Sequence, residues 1–149
     1  MNEQLLSTQR PIDCPCGGAA PDQRSGAKAP RFAQCCGRYI DNGESAPRAL
    51  ELMRSRYSAY VVGATDYLRA TWAPHTCPAD LDVNLAAPDT PRWLGLQIKA
   101  FAESDADHAT VEFIARYKVG GRARRLHELS RFTRDEAGRW RYVDGDVSE

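Results

Sequence analysis

The sequence predicts an α+β protein: a small cysteine module, then two helices, then an antiparallel meander of about four strands. Three observations carry this reading. Four of the five cysteines fall in two tight pairs near the N-terminus, Cys14-Pro15-Cys16 and Cys35-Cys36. Apolar residues recur at helical spacing through Leu50, Met53, Tyr57 and Val61. Beyond Trp93 the period changes to alternation, interrupted by Gly120-Gly121 and Gly138.

Two close cysteine pairs offer four thiolates to one tetrahedral zinc. Disulfides within each pair are disfavoured, because their geometry needs a separation that so few residues rarely allow. Disulfides between the pairs stay open and would need an oxidising compartment, of which the sequence gives no sign. The surrounding residues, Cys14-Pro15-Cys16-Gly17-Gly18 and Phe32-Ala33-Gln34-Cys35-Cys36-Gly37, resemble the SEC-C zinc motif. Cys36 stands in its final ligand position. Eighteen residues separate Cys16 from Cys35, more than is usual for the motif. The added part, Ala19 to Pro30, is rich in Ala, Gly, Pro and polar residues and reads as a flexible surface loop. Slightly more than doubling a loop costs about 0.7 kcal/mol of closure entropy. Structural zinc in small peptides contributes roughly 10–16 kcal/mol. The expected cofactor is therefore structural Zn²⁺ on Cys14, Cys16, Cys35 and Cys36.

The elements follow in order. Residues 1–13 have little pattern and read as a frayed start. Residues 1–44 form the module and 45–149 the α+β domain, a division under which losing the metal unfolds the module alone. A helix is expected from Ser45 as N-cap, with Pro47 in its first turn, to a stop at Gly63. Thr65 caps a shorter helix that runs to Trp72 before Pro74. Residues 73–91 hold four prolines and read as a long connection. Leu94, Leu96, Ile98 and Ala100 then share one strand face, and Val111, Phe113, Ala115 and Tyr117 another. Gly120-Gly121 turns the chain into a strand from Arg124 to Thr133, and a last strand spans Arg139 to Val143.

Several blocks then match one family in order. They are Leu52 to Tyr60, Asp66 to Trp72, Trp93 to Leu96, Val111 to Phe113, His127 to Phe132 and Gly138 to Gly145. On these the chain resembles the YchJ family of uncharacterised bacterial proteins, over residues 14–145. The resemblance implies a nuclear transport factor 2-like domain, a curved antiparallel sheet wrapped round helices into a cone. It brings no activity with it. Many members carry a second SEC-C motif; this sequence has no second cysteine cluster, so a role that needs two zinc modules is not expected.

Candidate chemistry lies on the late strands. Leu126, Glu128, Ser130 and Phe132 share a face that begins and ends apolar, so Glu128 and Ser130 are expected inside the cone. Trp140, Tyr142 and Asp144 align the same way on the last strand. A buried carboxylate needs a partner or loses its charge, and Arg54, bordering the apolar helix face, is the expected partner of Glu128 or Asp144. The expected pocket thus takes Arg54, Tyr57, Trp72, Glu128, Ser130, Trp140, Tyr142 and Asp144. Such a group suits acid–base work or ligand binding, and equally a structural pair that locks helix to sheet. His75, His127 and Cys77 have no identifiable partner.

Zero net charge argues against bulk attraction to nucleic acid or membrane. Nine basic residues against three acidic between Arg116 and Arg141 read as a solvated sheet face. No apolar run is long enough to span a bilayer, and the start lacks a signal-peptide pattern, so a cytoplasmic protein is expected. No P-loop, dinucleotide fingerprint or nucleophile elbow points to an enzyme. The first expectation is a zinc-containing interaction or adaptor protein. In SecA the SEC-C tail docks to the chaperone SecB, and four filled ligand positions leave none open for catalysis. The alternative is a small-molecule-binding or enzymatic cone that uses Glu128, Asp144 and Arg54.

Overall fold

The computed structural model describes residues 10–18 and 28–148. Residues 1–9 of the start expected to fray, and most of the loop between the cysteine pairs, lie outside these residues. Positions 10–13, expected to fray as well, are held instead, with the Phe32 N–H bonded to the Ile12 carbonyl at 2.9 Å and Arg10 paired with Asp41. After a 3₁₀ turn at Phe32–Gln34 come three helices, α1 (Gly37–Ile40), α2 (Ala49–Val62) and α3 (Thr65–Ala70). Four strands follow, β1 (Arg92–Asp105), β2 (His108–Val119), β3 (Arg122–Arg134) and β4 (Trp140–Ser148). They form one antiparallel sheet in the order β1-β2-β3-β4, the expected α+β meander.

Helix α2 begins four residues later than Ser45. Its N-cap is Arg48, in an extended conformation and without a side-chain cap bond. The Arg48 guanidinium instead pairs with Glu51 in the first turn, where a carboxylate is favoured by the helix dipole. Pro47 lies outside the helix, so its fixed φ shapes the entry. The C-terminus is where the sequence puts it. Gly63 takes φ 76°, ψ 30°, and its N–H bonds the Ala59 carbonyl. A side chain at Gly63 would be strained there and would sit 3.0 Å from Leu85. Gly63→Ala is expected to cost about 1–2 kcal/mol, read as a lower denaturant midpoint at unchanged slope.

Helix α3 ends at Ala70, before Trp72. The chain straightens instead, and Trp72 bridges Tyr142 in parallel. The Ala73 N–H bonds the Tyr142 carbonyl at 2.8 Å, and the Tyr142 N–H bonds the Thr71 carbonyl at 2.9 Å. These bonds tie the outer edge of β4 to the end of α3, which blunts an open sheet edge.

The alternation on β2 and β3 holds. Val111, Phe113, Ala115 and Tyr117 pair with Ser130, Glu128, Leu126 and Arg124, and so share one face. The alternation on β1 does not. Register shifts at Leu94 and Lys99 each insert one residue, and a bulge moves every later side chain to the other face. The inward set is therefore Trp93, Leu96, Ile98 and Phe101, which pair with Tyr117, Ala115, Phe113 and Val111. Leu94 is 55% exposed and Ala100 also faces outward. The same bulges bend the sheet round α2.

The core is continuous. Leu50, Met53 and Tyr57 of α2 meet Ile98, Val111, Phe113 and Phe132 of the sheet, and the same cluster includes Cys14, Cys16, Phe32, Cys35 and Cys36. The sequence boundary at residue 44 divides the chain, but buried packing runs across it.

Candidate functional site

The first site is the cysteine cluster. The Cys14 N–H bonds the Pro30 carbonyl at 2.8 Å, and Asp13 bridges Arg31. These contacts bring the two cysteine pairs together. Gly17 and Gly18 both take positive φ, 69° and 67°, which L side chains rarely adopt. This turn aims the Gly18 N–H at Cys16 Sγ, 3.2 Å away. On the other pair, a side chain on Gly37 would meet the Phe32 carbonyl at 2.7 Å, so only glycine lets α1 close on the 3₁₀ turn.

The four sulfurs all lie within 4.8 Å of one another. Cys14 and Cys16 are 3.5 Å apart, and Cys16 and Cys35 3.6 Å. Four sulfurs round one zinc at about 2.3 Å stand about 3.8 Å apart, so the spacing fits. Every one of these cysteines is at most 4% exposed. Hydrogen bonding from Cys16 pulls the Cys14 thiol down, while the same bond pushes Cys16 up. The four sulfurs converge on a space that suits one cation, and the group can hold a metal ion. Cys14 Sγ also lies 3.6 Å from the hydroxyl of the fully buried Ser58 on α2. Such outer contacts orient metal ligands, and this one ties the cluster to the cone.

The second site is a cavity of about 260 Å³ between α2 and the concave face of the sheet. Tyr57, Trp72, Glu128, Ser130 and Tyr142 line it, five of the eight pocket residues expected from sequence. Met53, Arg56, Tyr60, Trp93, Ala115 and Leu126 line it too. Trp93 packs against Tyr57, Tyr60 and Tyr117 at centroid distances of 5.8, 6.1 and 5.2 Å.

Glu128 is buried, with its neighbours on one oxygen. Ser130 Oγ donates to Oε2 at 2.6 Å, and the Tyr142 hydroxyl donates to the same atom at 2.8 Å. Burial, and then the Glu128 charge, push the Tyr142 hydroxyl well above the ordinary tyrosine value. It therefore stays protonated and donates. Across the ladder Ser130 faces Gly145. A Cβ there would lie 2.2 Å from Glu128 Oε2 and 2.9 Å from its Cγ. The missing side chain is what gives the carboxylate its place.

Three expected pocket residues lie elsewhere. Arg54 does not pair with Glu128. It borders a groove beside the cysteine cluster with Gly17, Gly18, Cys35 and Arg38. Arg56 enters the cavity in its place, about 200° further round the helix. Asp144 points out and pairs with Arg131 at 2.6 Å. A bulge at Val143 is the cause: Tyr142 pairs with Phe132 but Asp144 with Arg131, so the two face opposite ways. Trp140 is buried outside the cavity lining, beneath the Arg134 guanidinium at 4.9 Å. His127 does have a partner, Glu112, at 2.7 Å.

Arg56 is the residue that sequence reasoning missed. It is 5% exposed, and its Nη1 donates to the Leu68 carbonyl at 2.8 Å and to Thr71 Oγ1 at 2.7 Å. The guanidinium lies 4.8 Å from the Trp72 ring centroid and 4.7 Å from that of Tyr142. Burial pulls its pKa below the ordinary value. Ser55, Ser58 and Ala59 were the signal available. Small residues beside an arginine mark a helix face that packs closely rather than one that meets water.

Comparison with known proteins agrees with this geometry. Residues 48–145 match the family described as "YchJ, middle NTF2-like domain". A UPF0225 protein of Cupriavidus metallidurans is 54% identical over 144 residues, covering 93% of this chain and 92% of that protein. One from Ralstonia nicotianae is 51% identical over 143 residues, covering 91% of each. The solution structure of a SEC-C motif containing protein from Rhodopseudomonas palustris has TM-score 0.72 at 31% identity, covering 93% of this chain and 100% of that one. The crystal structure of a SEC-C motif containing protein from Psychrobacter arcticus has TM-score 0.73 at 30% identity, covering 97% and 86%. The chain belongs to the YchJ family. Among the described residues no helix is long and apolar enough to cross a membrane.

Proposed function

We propose that this member of the YchJ family is a small-molecule-binding protein, with a structural zinc ion on Cys14, Cys16, Cys35 and Cys36. The observation that carries the reading is the cavity between α2 and the sheet. Rings and aliphatic side chains line most of it, and Arg56, Glu128 and Ser130 are set among them. A mostly apolar hollow with a few converging polar groups is the usual form of a small-ligand site. The zinc has a supporting role here. Its four protein ligands leave no open position for chemistry, and its buried sulfurs brace the back of the helix that carries Arg56.

The cavity reading is tested by titrating ¹⁵N-labelled protein with indole, a flat apolar probe. Shifts should gather on residues around Tyr60, Ala115 and Leu126. Leu126→Trp, which fills the hollow from the sheet side, should abolish them while leaving the melting temperature within a few degrees, as for a volume change of about 1 kcal/mol. Shifts scattered over the surface, or unchanged in Leu126→Trp, would overturn the reading.

A second reading, docking of a protein to the outer face of the zinc module, is favoured by Ile12, which is 71% exposed beside a groove with Pro11 and Ala33. It expects Ile12→Asp to lose the partner with zinc content unchanged.

A further inference from the structure

The cavity holds two buried charges of opposite sign that do not meet. Arg56 makes no ion pair within 4.0 Å among the described residues, and neither does Glu128. Tyr142 stands between them: the guanidinium lies over its ring face, and the carboxylate accepts from its hydroxyl. Each charge is fixed by one part of itself and open at another. Arg56 uses Nη1 on Leu68 and Thr71, which leaves its remaining N–H groups without a protein acceptor among the described residues. Among the described residues Glu128 takes both of its donors on Oε2 and none on Oε1.

We propose, building on the small-molecule reading above, that the ligand is a small zwitterion of the α-amino-acid type with a flat or branched apolar side group. Its carboxylate meets Arg56, its ammonium meets Glu128 Oε1, and its side group lies against Tyr57, Tyr60 and Trp93. The argument is one of exclusion as well as fit. A simple anion satisfies Arg56 but brings a like charge toward Glu128. A simple amine satisfies Glu128 but approaches a guanidinium. In a dry site a like-charge contact is costly, and so is a charge left unpaired. Only a ligand with both signs removes both costs. The volume, about 260 Å³, is below the roughly 300–1,000 Å³ typical of sites for drug-sized molecules, so the ligand is compact. Arginine favours a carboxylate because its planar fork matches two oxygens.

The test uses the zinc-loaded full chain and four probes that share one ring: toluene, phenethylamine, 3-phenylpropionate and phenylalanine. Affinities come from NMR titration. Phenylalanine should bind about tenfold or more tighter than either singly charged probe, the margin expected of one charge-assisted hydrogen bond. Glu128→Gln keeps the shape and should erase the advantage over 3-phenylpropionate. Arg56→Gln should erase the advantage over phenethylamine. Should Arg56→Gln fail to fold, Glu128→Gln still decides. Equal binding of phenylalanine and either singly charged probe overturns the zwitterion while leaving the cavity reading intact. Toluene binding as well as all three does the same. No response to any of the four, toluene included, overturns both.

Discussion

Removing the zinc proposed for the cysteine cluster is expected to lower the stability of the whole chain. The sequence division at residue 44 implies that only the module would melt. The packing argues for more. Cys16 and Cys36 are 1% exposed and belong to the same apolar cluster as Leu52, Tyr57 and Phe132. Cys14 touches Ser58, and that helix carries both Tyr57 and Arg56 into the cavity. Without a cation the four sulfurs must keep their protons or repel one another. They would then separate, and the back of α2 would open to water. Structural zinc contributes roughly 10–16 kcal/mol in isolated modules, while whole domains are stable by about 5–15 kcal/mol. A loss on the order of 5 kcal/mol is a reasonable share for a site that packs against a pre-built core. For a chain of this length that is a fall of roughly 10–20 °C in melting temperature. Thermal unfolding with and without chelator, alongside elemental analysis, measures it, and Cys35→Ser should behave like the stripped protein. An unchanged main transition, with a separate early loss of the module, would show that the shared core does not couple the two parts.

The fold was legible where local pattern and tertiary contact agree. Val111 to Tyr117 and Leu126 to Phe132 alternate in sequence, and their strands pair without a slip. Gly120-Gly121 turns with φ of 58° and 77°, as two-residue hairpins require. The cysteine cluster was legible because its ligands form two short local pairs. What failed has one main physical cause. Bulges at Leu94, Lys99 and Val143 each shift the phase of a strand by one residue, and nothing in a period-of-two pattern marks where an extra residue will sit. Leu94 and Asp144 were lost this way. The exchange of Arg54 for Arg56 has another cause. Helix α2 is buried nearly all round, with Glu51, Ser55, Arg56 and Ser58 among its covered residues. The sheet covers one side and the cysteine module another. A helix read as having one wet face then places its arginines on the wrong sides.

Gly145→Ala is expected to destabilise the protein by about 1–3 kcal/mol, the range for overpacking a filled site. The new methyl would lie 2.2 Å from Glu128 Oε2, 2.7 Å from Cδ and 2.9 Å from Cγ. A carboxylate at the tip of a free side chain could swing aside at little cost. This one is held by Ser130 and Tyr142 on the crowded oxygen, and contact reaches back to Cγ, so moving it breaks both hydrogen bonds. Glu128→Ala is expected to cost a similar amount, about 1–3 kcal/mol, because two donors lose their acceptor. It should not reach the roughly 3–5 kcal/mol of a broken buried ion pair, since no cation lies within 4.0 Å of Glu128 among the described residues. The double variant separates the two effects. With the carboxylate gone, the methyl of Ala at position 145 has room, so the second substitution should add less than about 0.5 kcal/mol to the first. Chemical denaturation of the four proteins gives the coupling directly. Additive losses would mean that the strand resists a side chain for its own reasons. Strong coupling would show that Gly145 is there to seat Glu128 in the cavity wall, with Oε1 left open to whatever the cone holds.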